Sequence, residues 1–340
     1  MYSLNFLLLN LLSTLSLANP TPSKPPKITE LYSFTPSNPI FLENLHQLPD
    51  SRLLISSFSP NGSLYILDPR KPHTAPITAT NFPNATIQLG IAPLGNHKYA
   101  IATGILGDLV FVHGTGNIRI ISLPPNAQTA KQIDVIPVPD TWILNGLIAL
   151  PAKPHILLSA DSTEGRILRI NTQTRQADVA FADPLLDANN HPVLPLGVNG
   201  IRIRDGYLYF TNSARGIFGR VKIDQEGNKT GNVEVLYQLV GETGFENAYD
   251  DFVLDERTGD AYVTWHDRSL VRLRRQGRTW RQEVIVGRTD GIGSVGEAGA
   301  VVLKAPTAVI LGKGGRELFV TTAGQVNGTR VGGQVVRVEL

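Results

Sequence analysis

Residues 143–171 read ILNGLIALPAKPHILLSADSTEGRILRIN. Three short strand-like runs stand in this stretch: the apolar run around Asn145, then His155–Ala160, then Arg166–Ile170. Each is rich in aliphatic and β-branched residues, and turn residues (Pro-Ala-Lys-Pro, then Asp-Ser-Thr-Glu-Gly) separate them. The unit opens with a polar residue beside a small apolar strand. A second strand follows, then a turn, then a third strand with basic and polar side chains.

The same phrasing recurs outward in both directions. Other strand-like runs are Arg52–Ser57, Ser63–Leu67, Tyr99–Thr103, Leu109–His113, Ile118–Ile121, Tyr207–Thr211, Arg220–Ile223, Ala261–Trp265, Leu270–Leu273, Leu318–Thr322 and Gln334–Val338. No segment carries the 3.6-residue pattern of a long amphipathic helix. The unit openings fall at Glu43, Gly90, Asn145, Asn199, Asp250 and Pro306, with spacings of 47, 55, 54, 51 and 56 residues. Such self-similarity, with three or four strands per unit and no helices, predicts an all-β, six-bladed β-propeller. Seven blades would need units of about 46 residues, which these openings do not fit. The last run, Gln334–Val338, sits at the position of a third strand. The expectation is that an N-terminal strand, Ile28–Phe34, supplies the fourth and closes the ring.

Charged residues are 18% of the 340, below the roughly 25% of ordinary soluble chains, so a large core is available. The formal charge is +2 and no long basic block exists, which argues against nucleic acid as a partner. With no cysteine, disulfide scaffolds, thiolate metal sites and thiol nucleophiles are excluded. Residues 6–17, FLLLNLLSTLSL, form an apolar run too short for a membrane span, which needs about 20 residues. Ser16-Leu17-Ala18 follows as a cleavage site, so residues 1–18 read as a secretory signal peptide. Residues 19–27 read as a Pro-rich linker and 28–340 as one propeller domain without a membrane span. The expected destination is the secretory pathway, secreted or lumenal. Four sequons, at Asn61, Asn84, Asn228 and Asn327, fit that route as glycosylation sites.

In a propeller the first strand of each blade lines the central channel. Glu43, Asn145, Asn199 and Asp250 therefore converge, although they are about 50 residues apart in sequence. Two carboxylates and two amides are oxygen donors that suit a hard divalent cation such as Ca²⁺. Asp251 is expected to point away from the axis if Asp250 points in. Trp142, Tyr209, Asn212, Arg215, Trp265, His266 and Arg288 lie near strand ends or loops and are candidates for a pocket mouth. The seven histidines form no HExxH pair, and there is no G-x-S-x-G, Walker A or G-x-G-x-x-G motif. The Gly-rich segment 291–299 reads as a loop, a candidate lid before the last blade.

The phrases FLENLHQLPDSRLLIS, LNGLIAL…LLSADSTEGRILRINTQT, LGVNGIRIRDGYLYFTNSARG, DDFVLDERTGDAYV and APTAVIL…ELFVTTAG resemble the fungal secreted branch of the SMP-30/gluconolactonase-like six-bladed propellers. The resemblance implies a divalent-cation site on Glu43, Asn145, Asn199 and Asp250, although Asp-Asp stands at 250–251 where the family usually has Asp-Gly. Within that branch the chain is similar to the hetero-Diels–Alderases of tropolonic sesquiterpenoid biosynthesis. That similarity implies joining of a tropolone ortho-quinone methide to a humulene-type olefin, two small apolar substrates, with formation of a dihydropyran ring and no required cofactor. The sequence leaves two other readings open: a metal-dependent lactonase or esterase, and a non-catalytic secreted binding propeller.

Overall fold

The structure is a computed structural model that describes residues 26–108, 110–266, 269–277, 279–287 and 301–340. The signal-peptide reading, nearly all of the linker, Arg288 and the Gly-rich segment 291–299 lie outside these residues. Lys27, placed at the end of the linker from sequence, is already in a strand.

Alternating apolar runs and Gly- or Asn-centred turns produce six antiparallel four-stranded blades. Blade 1 comprises Phe41–Gln47, Leu53–Phe58, Ser63–Leu67 and Ile77–Asn81, and blade 2 comprises Ile87–Gly95, Lys98–Gly104, Asn117–Ser122 and Lys131–Pro137. Blade 3 is Leu144–Leu150, Lys153–Asp161, Arg166–Asn171 and Gln176–Ala182. Blade 4 is Val198–Arg204, Tyr207–Asn212, Ile217–Ile223 and Lys229–Gln238. Blade 5 is Tyr249–Leu254, Ala261–Trp265, Ser269–Gln276 and Thr279–Val286. Blade 6 is Pro306–Leu311, Glu317–Thr322 and Gln334–Glu339, with the N-terminal strand Lys27–Ser33 as its outer member. That strand pairs antiparallel with Gln334–Glu339, so the two chain ends lock the ring as the repeat predicted. A single pair, Phe58 with Ile87, bridges blades 1 and 2.

The first strands of successive blades contact one another around a complete circle, blade 6 to blade 1 included. They form the channel wall. The apolar faces of the blades meet in six clusters, one at each of the six interfaces. The core is thus divided among six seams, and closure substitutes for the cross-links that the chain lacks. Among the described residues there is no helix, and none long and apolar enough to cross a membrane. The run Leu109–His113 is not a blade strand. Its described part is a two-residue strand, Val110–Phe111, paired with Leu106–Gly107 in a loop.

Every inner strand breaks register with its neighbour at the same level. The residues skipped are Glu43-Asn44, Leu89-Gly90, Asn145-Gly146, Asn199-Gly200, Asp250-Asp251 and Thr307. A bulge leaves backbone groups without ladder partners, and buried ones must be satisfied elsewhere. Small hydroxyls do this, most of them reaching across to the next blade: Ser56 to the Leu89 carbonyl (2.8 Å), Ser213 to Tyr249 (2.8 Å), Thr264 to Thr307 (2.9 Å) and Thr307 to Leu42 (2.8 Å). The glycines explain themselves by close approach. A Cβ on Gly146 would lie 2.5 Å from the Asn199 carbonyl oxygen, and one on Gly200 would lie 2.2 Å from Asp251 Oδ1.

Candidate functional site

The ring has two ends. At the upper end the inner strands begin, and at the lower end they finish. Glu43, Asn145, Asn199 and Asp250 each occupy the first bulge position of an inner strand, at one level of the channel, and all four are buried. The structure corrects the phase of blade 2: its equivalent residue is Leu89, and Gly90 corresponds to Asn44. In blade 6 the equivalent is Thr307, one residue after Pro306.

Asp250 Oδ2 lies 2.7 Å from His266 Nε2, and His266 Nδ1 faces the Phe245 carbonyl at 3.2 Å. A carbonyl only accepts, so Nδ1 carries a proton. The carboxylate also only accepts, so the pair holds an imidazolium opposite a carboxylate, or a neutral imidazole opposite an acid. Burial opposes charge on His266, but the bond to Asp250 and its charge raise the imidazole above its ordinary value. Burial likewise raises Asp250, against the lowering influence of His266.

Asp251 does not point away from this level. The bulge cancels the alternation on which that expectation rested. Its carboxylate accepts from Asn44 Nδ2 (2.9 Å), Arg202 (2.8 Å) and the Phe252 amide (2.8 Å). Asn44 and Arg202 come from blades 1 and 4, so one carboxylate ties together the inner strands of three blades. Arg202 also packs over the Phe252 ring at 5.5 Å.

Glu43 and Asn145 differ from their neighbours. Among the described residues neither side chain makes a hydrogen bond, and none of their polar side-chain atoms is sealed from the channel space. Burial, then the charges of Asp250 and Asp251, raises the Glu43 carboxyl well above the ordinary range, which favours its protonated form. A neutral carboxylic acid is a hydrogen-bond donor.

The carboxylates Asp250 and Asp251 are already engaged by other groups, which works against a divalent cation at this level. Asp250 is engaged with an imidazole whose other nitrogen is also committed, and Asp251 is neutralised by Arg202. Asn199 Nδ2 donates to Ser213 Oγ at 2.9 Å. Among the described residues no group of three or more His, Asp or Glu side chains is placed to hold a metal ion. No step below is routed through one.

The remaining candidates divide. His266 stands at the channel. Trp142 is on the upper surface against His113 (4.9 Å between rings). Trp265 donates from Nε1 to Asn247 Oδ1 (2.9 Å) and so pins the loop after blade 4. Tyr209 is not at the mouth; it is buried in the seam between blades 4 and 5, beside Phe218. Asn212 is fully buried, and its amide donates to the Leu185 and Asp187 carbonyls. Arg215 donates to Asp187 as well. Tyr209 and Asn212 are structural, whereas Arg215 also lines a pocket on the upper face. The sequons at Asn61, Asn84 and Asn327 are exposed on upper-end loops, whereas the Asn228 amide at the lower end is bonded to Asp224 and Arg169.

Sequence reasoning missed the partners Arg202 and Asn44 and the hydroxyl clips. A signal existed for the clips. Ser56, Thr211, Thr264 and Thr321 stand at the same place in four second strands, inside LLISS, YFTNS, YVTWH and FVTT.

Comparison with known proteins gives a consistent fold and one named relative. No family model matches the chain. A Phoma sp. protein named "Putative hetero-Diels-Alderase" is 24% identical over 301 residues, covering 81% of this chain and 80% of that protein. Among solved structures, a luciferin-regenerating enzyme superposes with a TM-score of 0.62 at 15% identity, over 93% of this chain and 95% of that one. The PQQ-bound aldose sugar dehydrogenase of Streptomyces coelicolor gives 0.58 at 16%, over 92% and 98%. An auxiliary nutrient binding protein of Bacteroides thetaiotaomicron gives 0.62 at 12%, over 92% and 76%. At these identities the structural likeness carries the fold alone, and the fold hosts both enzymes and binders.

Proposed function

We propose that the protein is a secondary-metabolite cyclase of the hetero-Diels–Alder type, working at the upper end of the channel without a metal. The observation that carries the reading is the pair of unpartnered polar side chains, Glu43 and Asn145, buried at the channel wall under an apolar rim. Trp142, Val193, Val240 and Phe245 stand exposed on upper-end loops. A pocket of about 720 Å³ opens on the same face over blade 4, lined by Leu185, Val193 and Leu239 and also by the polar His191, Arg215 and Glu242. Its size lies within the range of small-molecule pockets. The name of the Phoma sp. relative supports the same chemistry.

The reactants of this reading are a tropolone ortho-quinone methide and a humulene-type olefin. Ring formation makes one C–O and one C–C bond between the heterodiene ends and the alkene carbons. No atom leaves, no electron is supplied and no nucleophile is needed. Holding the partners face to face contributes up to roughly 7–11 kcal/mol. In this reading the Glu43 O–H and the Asn145 N–H donate to the heterodiene carbonyl oxygen, which gains charge as the ring closes. The His266–Asp250 pair and the rim then fix which face reacts.

The test is incubation of the purified protein with a quinone-methide precursor and humulenol, read by chiral chromatography. We expect one enantiomer, formed faster than in buffer and equally in the presence of EDTA. Loss of a single such donor typically costs about 10²–10³ in rate, so Glu43→Ala should slow product formation by about that factor while remaining folded. Racemic product at the buffer rate, or full activity in folded Glu43→Ala, refutes the proposal.

A further inference from the structure

At the lower end of the ring, opposite the site above, lies a second cavity of about 490 Å³ between blades 1, 2 and 6. Its floor is His46, at the end of the first inner strand, and Tyr99, with ring centroids 5.5 Å apart and planes tilted by 57°. Pro49 and Pro93 flank this floor, and Lys98 and Lys313 stand at the lip. The slot is therefore apolar and aromatic within and cationic at its edge.

The polar groups here are unspent. Among the described residues, neither ring nitrogen of His46 has a hydrogen-bond partner, and neither does the Lys98 ammonium. The Lys313 ammonium is fixed by two backbone carbonyls, of Leu48 (3.2 Å) and Pro49, which leaves one of its three N–H donors. Arg202 adds positive charge from the channel side. The nearby carboxylate, Asp50, is already paired with Arg52 at 2.8 Å. Burial, with Arg202 and Lys313, lowers His46 to about 4, so its imidazole is neutral near pH 7 and offers one donor and one acceptor. One rim is the hairpin Gly95-Asn96-His97, whose three consecutive φ angles of 78°, 49° and 58° are left-handed. This is the conformation that the two-residue connection of the hairpin between Ile87–Gly95 and Lys98–Gly104 requires.

We propose that this lower mouth binds a small aromatic carboxylate, its ring in the slot between Tyr99, His46 and the two prolines and its anionic group on Lys313 and Lys98. The size lies within the range for small-molecule sites. Apolar walls favour a planar organic anion over an inorganic one, which would leave them uncovered.

The probes are benzoate, acetate and inorganic phosphate, titrated into the intact protein at low salt by calorimetry. Benzoate should bind saturably at one site, at least tenfold more tightly than acetate or phosphate. Lys313→Met, a change at an exposed position, should weaken benzoate at least tenfold, and Lys98→Ala should weaken it several-fold. His46→Ala should reduce benzoate binding more than acetate binding, with circular dichroism confirming the fold. Absence of saturable benzoate binding, equal affinity for phosphate, or binding unchanged in Lys313→Met would each overturn the assignment. The ring-forming assay is independent of this cavity, so failure of one proposal is separable from failure of the other.

Discussion

Replacing Arg202 by Met keeps most of the aliphatic packing and removes the guanidinium from Asp251. The pair is 2.8 Å apart, with side-chain exposures of 21% for Arg202 and 4% for Asp251. Breaking a buried pair from one side costs roughly 3–5 kcal/mol. Two features reduce that figure here: the arginine end is partly solvated, and Asp251 keeps its bonds from Asn44 and the Phe252 amide. Two features restore part of it. The cation–π contact with Phe252 goes, worth about 0.5–1 kcal/mol, and Asp251 is left facing Asp250 and Glu43 without its counter-charge. The expected loss is about 2–4 kcal/mol. Urea unfolding followed by the fluorescence of Trp142, Trp265 and Trp280 measures it, with the midpoint falling and the slope unchanged. Asp251→Asn in the Arg202→Met background should recover about 1–3 kcal/mol, because the amide removes the unpaired charge. A loss below about 0.5 kcal/mol, or no recovery in the double variant, refutes the idea that this pair organises the channel.

Two further outcomes follow from the same level of the ring. His266 is raised in the folded state, so its contribution is fully present below its unfolded value near 6.5 and is lost as pH climbs through the raised one. Glu43 is also raised, so the fold pays an increasing penalty as pH rises above the ordinary carboxylate range. Stability should therefore decline from mildly acidic to alkaline pH, and Glu43→Gln should flatten that slope in denaturant melts; an unchanged slope contradicts it. Gly146→Ala places a methyl 2.5 Å from the Asn199 carbonyl, which forces the inner strands of blades 3 and 4 apart. It should destabilise by about 1–3 kcal/mol and lower ring-forming activity, whereas a variant indistinguishable from the parent would show that the seam is slack.

The architecture was legible because it is periodic. Six unit openings at nearly equal spacing, fourteen strand-like runs and a closing strand near residue 28 all follow from local pattern, and apart from Leu109–His113 the blades lie where that pattern puts them. The outer strands were harder to see. Gln176–Ala182 and Lys229–Gln238 are largely exposed and carry little apolar alternation. The level of the site was legible too, but not its wiring. A bulge has no marker in a single sequence, so the local pattern points to Gly90 in place of Leu89 and puts Asp251 on the wrong side. The bonds from Asn44 and Arg202 to Asp251 span 207 and 49 residues, and nothing local announces them. Tyr209 and Asn212 were drawn toward the mouth by their places near strand ends. Their side chains turn instead into the seam between blades 4 and 5 and onto loop carbonyls.

Where the dihydropyran product sits is the most direct question to put to this account. Diffraction from crystals soaked with that product answers it. The prediction is density at the upper mouth, with the ring oxygen within hydrogen-bond distance of Glu43 or Asn145 and the hydrocarbon against the rim. Density confined to the blade edges or to the lower mouth would contradict it.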